Sequence, residues 1–169
     1  MSEQPSPAEA PASAAETELE RKLAEQRARL AAVPPWPGLL AACIVPVGTA
    51  IAFVLLGSEL AESEKELERI QAGGLIGVGL GWVLAFLLAL WVVRASGPQA
   101  KGTTFLQPVA LGFLAKLFVL GVGTVLFAKP LAGIGHHEAY AICFAAVTFG
   151  FQFVFQAVYG SARQRVLRS

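Results

Sequence analysis

Residues 70–93 read IQAGGLIGVGLGWVLAFLLALWVV. These 24 positions hold no charged side chain, and about 20 apolar residues suffice for a helix to cross a hydrocarbon core roughly 30 Å thick. A helix on the surface of a soluble bundle would return a polar side chain to one face every three or four positions, which this stretch does not do. It reads as a transmembrane helix, and its glycines indicate how it packs. Gly73, Gly77 and Gly81 recur at four-residue steps, with Gly74 and Gly79 beside them. Small residues at that spacing let a second backbone approach closely, which is how helices associate in lipid, where no hydrophobic driving force separates them from solvent.

Working outward, residues 36–57, 105–128 and 139–160 form three further apolar blocks, charge-free except for Lys116 in the second of them. The predicted fold class is therefore all-α, a polytopic membrane protein with a four-helix transmembrane domain over 36–160. Transmembrane β-strands would be about half as long and would alternate strictly, so the pattern is not that of a barrel. Composition agrees: of 169 residues 55% are hydrophobic and only 15% charged, against about 45–50% and about 25% in soluble domains. The chain has no Asp and no Asn, which removes most routes to a carboxylate-based hydrolase or an all-oxygen metal cage. A net charge of +1 gives no reason to expect nucleic acid as a partner.

The N-terminal region opens without the basic segment and short apolar core of a secretory signal. Residues 1–15, rich in Pro, Ala, Ser and Glu, read as a disordered tail. Over 16–33 a cytoplasmic amphipathic helix is predicted, begun by a capping box of Thr17 and Glu20 and ended by Pro34-Pro35. Its seam is Leu19, Leu23, Gln26, Leu30 and Val33, and Glu18 with Lys22 and Glu25 with Arg29 supply i,i+4 pairs. Such a helix serves either as a short coiled-coil arm or as a surface helix at the headgroups. Residues 161–169 form a basic tail. With four spans, nine Lys and Arg fall on the side of the two termini and three on the other, so the positive-inside rule places both termini in the cytoplasm. The glutamate-rich segment 58–71 then faces outward, with Leu60, Leu67 and Ile70 on one side of a helix that runs on into the second span, and serves as a solvated loop or as a mouth that concentrates cations.

Within the spans, Lys116 is the residue that asks for an explanation, because a mid-span lysine costs roughly 2.5–3.5 kcal/mol on insertion scales and so turns to a bundle interior, a wet cavity or a partner. At 1.5 Å per residue it lies about 16 Å from the cytoplasmic end of its span, level with Thr148 at about 18 Å, Gln152 at about 12 Å and Gly81 at about 18 Å. The expectation is one midplane layer in which Lys116 hydrogen-bonds to Thr148 or Gln152, beside the carbonyl that Pro46 frees in the first helix. Ala141, Ala145, Thr148, Gln152 and Gln156 share one face of the fourth span, as interhelical glue or as a path. Cys43 and Cys143 come out at different depths and read as core residues. The run His136-His137-Glu138 is a poor metal site, since two adjacent histidines lack further ligands; no catalytic residue, metal site or cofactor is predicted.

The Gly73-Gly74-Leu75-Ile76 opening of the second span, the short basic loop from Arg94 to Lys101, and Gly112-Phe113-Leu114-Ala115-Lys116 in the third span together resemble the subunit I proteins encoded beside bacterial F-type ATP synthases. The resemblance covers about 70–160. In that family the third helix usually reads Gly-Glu-x-x-Lys; Phe113 stands here at the Glu position, and Leu80-Gly81 where Pro-Asn is frequent. The resemblance implies a non-enzymatic accessory factor of the bacterial inner membrane that assists assembly of the rotor ring of c subunits, with c subunits and other membrane-sector subunits as partners besides the lipid bilayer. A magnesium-supply role is also suggested for the family. Lys116, Thr148, Gln152 and Gln156 are the expected contacts to the client or ion, and Gly73, Gly77 and Gly81 the packing face. The alternatives are a small channel or carrier for a cation such as Mg²⁺, with Glu62 to Glu68 as its vestibule, and a homo-oligomeric structural protein.

Overall fold

The computed structural model of the chain describes residues 10–95, 106–129, 131 and 133–168. Among these there is no strand, and the elements are α1 (Ala10–Ala31), α2 (Trp36–Ala42), α3 (Ile44–Leu60), α4 (Glu64–Ala95), α5 (Leu106–Ala128) and α6 (His137–Arg168). Four segments, Trp36–Gly57, Glu64–Ala95, Ala110–Ala128 and His137–Arg168, are long and apolar enough to cross a membrane. Their outward faces carry large apolar side chains: Phe153 is 75% and Phe118 70% exposed, with Ile44, Leu55, Leu80 and Leu87 likewise outside. Side chains of that size on every outer face belong in hydrocarbon rather than water. The protein is an all-α membrane protein with four spans.

The centre of the bundle is the pair α4 and α6. Cβ atoms built on Gly73, Gly77 and Gly81 would meet backbone atoms of His136, Tyr140 and Phe144, at nearest 2.5, 2.5 and 3.1 Å. Each four-residue step along α4 is matched by a four-residue step in the same direction along α6. The two helices therefore run parallel, as the second and fourth spans of an up-and-down bundle must, with i±4 rows of both interlocked. The His136 N–H donates to the Arg69 carbonyl at 2.9 Å, joining the start of α6 to α4. On the other faces of α6, Gly38 lies 3.1 Å from Tyr159 and Gly150 2.8 Å from Val45, each measured to an added Cβ, so small residues also admit α2 and α3. Gly74 makes room for the Phe53 ring and Gly123 for the Tyr140 ring. The Tyr140 hydroxyl donates to the Val119 carbonyl at 3.0 Å and ties α6 to α5. Phe144, Phe151 and Phe155 are buried in the core, whereas Phe149 and Phe153 are exposed.

Several boundaries differ from the sequence expectation. α1 begins at Ala10, so Thr17 lies inside it and cannot be its cap; Ala10, Ala12, Ala14 and Ala15 are the strongest helix formers, and Pro11 is tolerated in a first turn. The expected tail is thereby shortened to residues 1–9, which lie outside the described residues. The pairs Lys22 with Glu18 and Arg29 with Glu25 are formed at 2.8 and 2.9 Å, while Leu19 and Leu23 stay exposed and Val33 is buried. The first span is two segments. Pro46 has no N–H for the Ala42 carbonyl, and the chain tightens at Cys43, whose N–H reaches both Leu39 and Leu40 carbonyls at 3.1 and 3.2 Å. α4 runs from Glu64 into the second span, as expected of a helix carrying Leu67 and Ile70 out of the glutamate-rich segment, and Ser63 caps it: the Glu66 N–H donates to Ser63 Oγ at 3.3 Å, and the Glu66 carboxylate accepts from the Glu62 N–H at 3.1 Å. This is a variant of the Ser-x-x-Glu box. α6 continues to Arg168, so 161–168 is helical. Lys101 and most of the second loop fall outside the described residues.

Candidate functional site

Lys116 lies ten residues after the start of α5 and twelve before its end, with only 5% of its surface exposed. Gly112, one turn earlier, sits against Leu88, whose Cδ2 would be 3.3 Å from an added Cβ; this sets the close approach of α5 to α4 at that level. The ammonium donates to the side-chain oxygen of Gln152 on α6, and Nζ stands 5.6 Å from the centroid of the Phe149 ring, within the range of a cation–π contact. Gln152 and Phe149 are neutral. No carboxylate pairs with Lys116 among the described residues, where the salt bridges are the two on α1.

The ammonium borders a cavity of about 590 Å³, a size usual for ligand sites. Ala85, Leu88, Ala89 and Val92 of α4, Ala110, Gly112 and Phe113 of α5, and Phe149, Gln152, Phe153 and Gln156 of α6 line it. Its walls are thus apolar apart from one cation and two amides. Phe113 and Phe153 are half or more exposed at its edge, so it opens to the side of the bundle that faces hydrocarbon. Such a cleft suits an anionic group presented from within the membrane: the Gln152 carbonyl satisfies one ammonium proton and leaves two donors free, and low dielectric strengthens any carboxylate contact that replaces it.

The structure brings together Lys116, Gln152 and Gln156 of the expected site residues and leaves Thr148 apart. Thr148 is fully buried, and its hydroxyl donates to the Phe144 and Ala145 carbonyls of its own helix at 2.8 and 3.2 Å. A threonine that back-bonds in this way has no proton left for a neighbour. The expected layer beside Pro46 is not formed either: neither Pro46 nor Ala42 borders the cavity. Gly73, Gly77 and Gly81 pack α4 on α6 and take no part in it. Phe149 was not foreseen. Its spacing of three from Gln152 and seven from Gln156 places it on the same stripe, which is the signal that would have found it. Cys43 and Cys143 are free thiols. The rings of His136 and His137 stack at 5.1 Å, and no group of three metal-ligating side chains occurs among the described residues.

No protein family, curated protein or solved structure matches the chain.

Proposed function

We propose that this membrane protein is a non-catalytic accessory factor that assists assembly of the c-subunit rotor ring of a bacterial F-type ATP synthase, working in the inner membrane with both termini cytoplasmic. One observation carries the reading: a mid-span lysine held by neutral partners at the edge of an apolar cleft that opens toward lipid. A buried cation of this kind is satisfied best by a carboxylate on another membrane helix, since an intramembrane charge without a partner is costly. The resemblance over 70–160 supplies the identity of the client, and Phe113 in place of the family's glutamate leaves the cation uncompensated within the chain. The same ammonium repels small cations, which favours this reading over a cation channel or carrier.

Deletion of the gene in its host, followed by quantification of intact c-rings, tests the proposal. A reduced yield of rings and co-purification of c subunits with the tagged protein are expected. Normal ring yield without any co-purification would sink it.

A further inference from the structure

A second pocket, of about 430 Å³, lies at the far end of the bundle from the Lys116 cleft, among the start of α4, the end of α5 and the start of α6. Ser63, Lys65, Glu66, Arg69, His136 and His137 form its polar wall, and Phe127 with Ala128 its apolar floor. Lys65 and Arg69 are one helical turn apart on α4 and so share a face. Four glutamates lie within three or four residues of them, yet neither cation forms an ion pair among the described residues, where both salt bridges belong to α1. Glu66 is the one carboxylate in the wall, and it is already engaged by the Glu62 N–H at 3.1 Å. Both cations line the pocket, and neither is within ion-pair distance of a carboxylate among the described residues.

The walls are held in place before any ligand arrives. The 2.9 Å bond from the His136 N–H to the Arg69 carbonyl ties the histidine wall to the arginine wall. Gly135 and Gly73 touch, with an added Cβ on Gly135 only 3.0 Å from the Gly73 Cα. The floor residues are the last of the apolar run of α5, so the pocket sits where hydrocarbon gives way to headgroups. An unpaired arginine fork and an ammonium, backed by two imidazoles, over an apolar floor are the chemistry that recognises phosphate oxygens.

From this arrangement we infer that the Lys65–Arg69–His136–His137 pocket binds the phosphate group of an anionic ligand, carried by a phospholipid of the adjacent leaflet or by a soluble phosphate ester. The site is independent of Lys116 and of the assembly role. The test uses the full chain in a phosphate-free maltoside detergent. Thermal unfolding is followed while phosphatidylglycerol, phosphatidylcholine or inorganic phosphate is added, for the wild type and for Lys65→Gln, Arg69→Gln, Arg69→Lys and Lys129→Gln. Lys129 is exposed at the same end of the bundle but does not border the pocket, so its variant removes equal charge without touching the site. Phosphatidylglycerol should raise the melting temperature of the wild type more than phosphatidylcholine does. Lys65→Gln and Arg69→Gln should each need roughly tenfold more lipid for the same rise, the loss typical of one charge-assisted hydrogen bond, whereas Lys129→Gln should match the wild type. Protection by inorganic phosphate with the same dependence on Arg69 would assign the pocket to a soluble phosphate ester instead of a lipid. Should Arg69→Gln fail to fold, Lys65→Gln and Arg69→Lys carry the comparison. Absence of protection by any of the three additives, or an equal loss in Lys129→Gln, overturns the inference.

Discussion

Gly77 approaches Tyr140 so closely that a Cβ on the glycine would stand 2.5 Å from the Tyr140 carbonyl oxygen. The atom it would strike is backbone, held in the first turn of the 32-residue helix α6, and cannot move aside as a flexible side chain would. Gly77→Leu should therefore separate α4 from α6. Overpacking a tight contact typically costs about 1–3 kcal/mol, and because Gly73 and Gly81 share the same ladder the whole interface should loosen. Gly79 lies on the same helix with nothing within 4 Å of an added Cβ, so Gly79→Leu is the matched control. Thermal unfolding in detergent should show a clearly lower midpoint for Gly77→Leu and little change for Gly79→Leu.

Lys116 gives a prediction of the opposite kind. Its burial with neutral partners is a cost that the folded protein carries, and replacing a buried charge by an apolar side chain of similar length is often neutral or stabilising. Lys116→Met should leave the unfolding midpoint unchanged or raised while lowering c-subunit co-purification severalfold. Lys116→Ala should weaken capture as well, with the four-span topology intact. A variant that loses stability and capture in parallel would mean that Lys116 serves the fold rather than the client.

The ladder of glycines and the Lys116–Gln152 pairing were legible in the sequence for the same reason: both depend on helical spacing and on depth in the bilayer, which the rise per residue fixes. Depth alone could not separate Gln152 from Thr148. The choice depends on rotation about the α6 axis, and on the preference of a threonine hydroxyl for the carbonyl one turn back on its own helix. The same limit hid the cavity, because Ala85, Ala89 and Gly112 border it only through the way α5 lies on α4 and α6. The early start of α1 reflects a balance that composition does not decide: Pro and Ser in the run favour disorder, while alanine propensity favours helix and prevails from Ala10. The break at Cys43 follows from Pro46, whose missing N–H leaves the Ala42 carbonyl without its helical donor.

Tyr140 is wholly buried, its ring seated over Gly123 and its hydroxyl on the Val119 carbonyl at 3.0 Å. The Val119 carbonyl already belongs to the α5 ladder, so removing the phenol oxygen strands no essential acceptor. Tyr140→Phe should accordingly cost only about 0.5–1.5 kcal/mol, the usual net worth of one hydrogen bond. Gly123→Val should cost more, because the added side chain has to displace the ring itself. Unfolding midpoints for the two variants should rank in that order, and a reversed ranking would mean that the hydroxyl, rather than the ring, locks α5 to α6.

The distribution of charge predicts an orientation. Arg163, Arg165 and Arg168 extend α6 beyond its apolar run as part of the same helix, and Arg21, Lys22, Arg27 and Arg29 lie on α1, after which Val33 joins the apolar cluster that Val166 of α6 also packs against. These seven cations gather at one end of the bundle, whereas Lys65, Arg69 and Lys129 stand among six glutamates at the other. Because basic residues near span ends resist translocation, the first end should stay in the cytoplasm. Both native cysteines lie in spans, Cys143 buried and Cys43 partly so, which leaves a background low enough for labelling. A cysteine introduced as Glu62→Cys should react with a membrane-impermeant maleimide in intact spheroplasts, while Arg165→Cys should react only after permeabilisation. The reverse pattern would invert the protein. It would also place the Lys65 and Arg69 pocket at the inner leaflet.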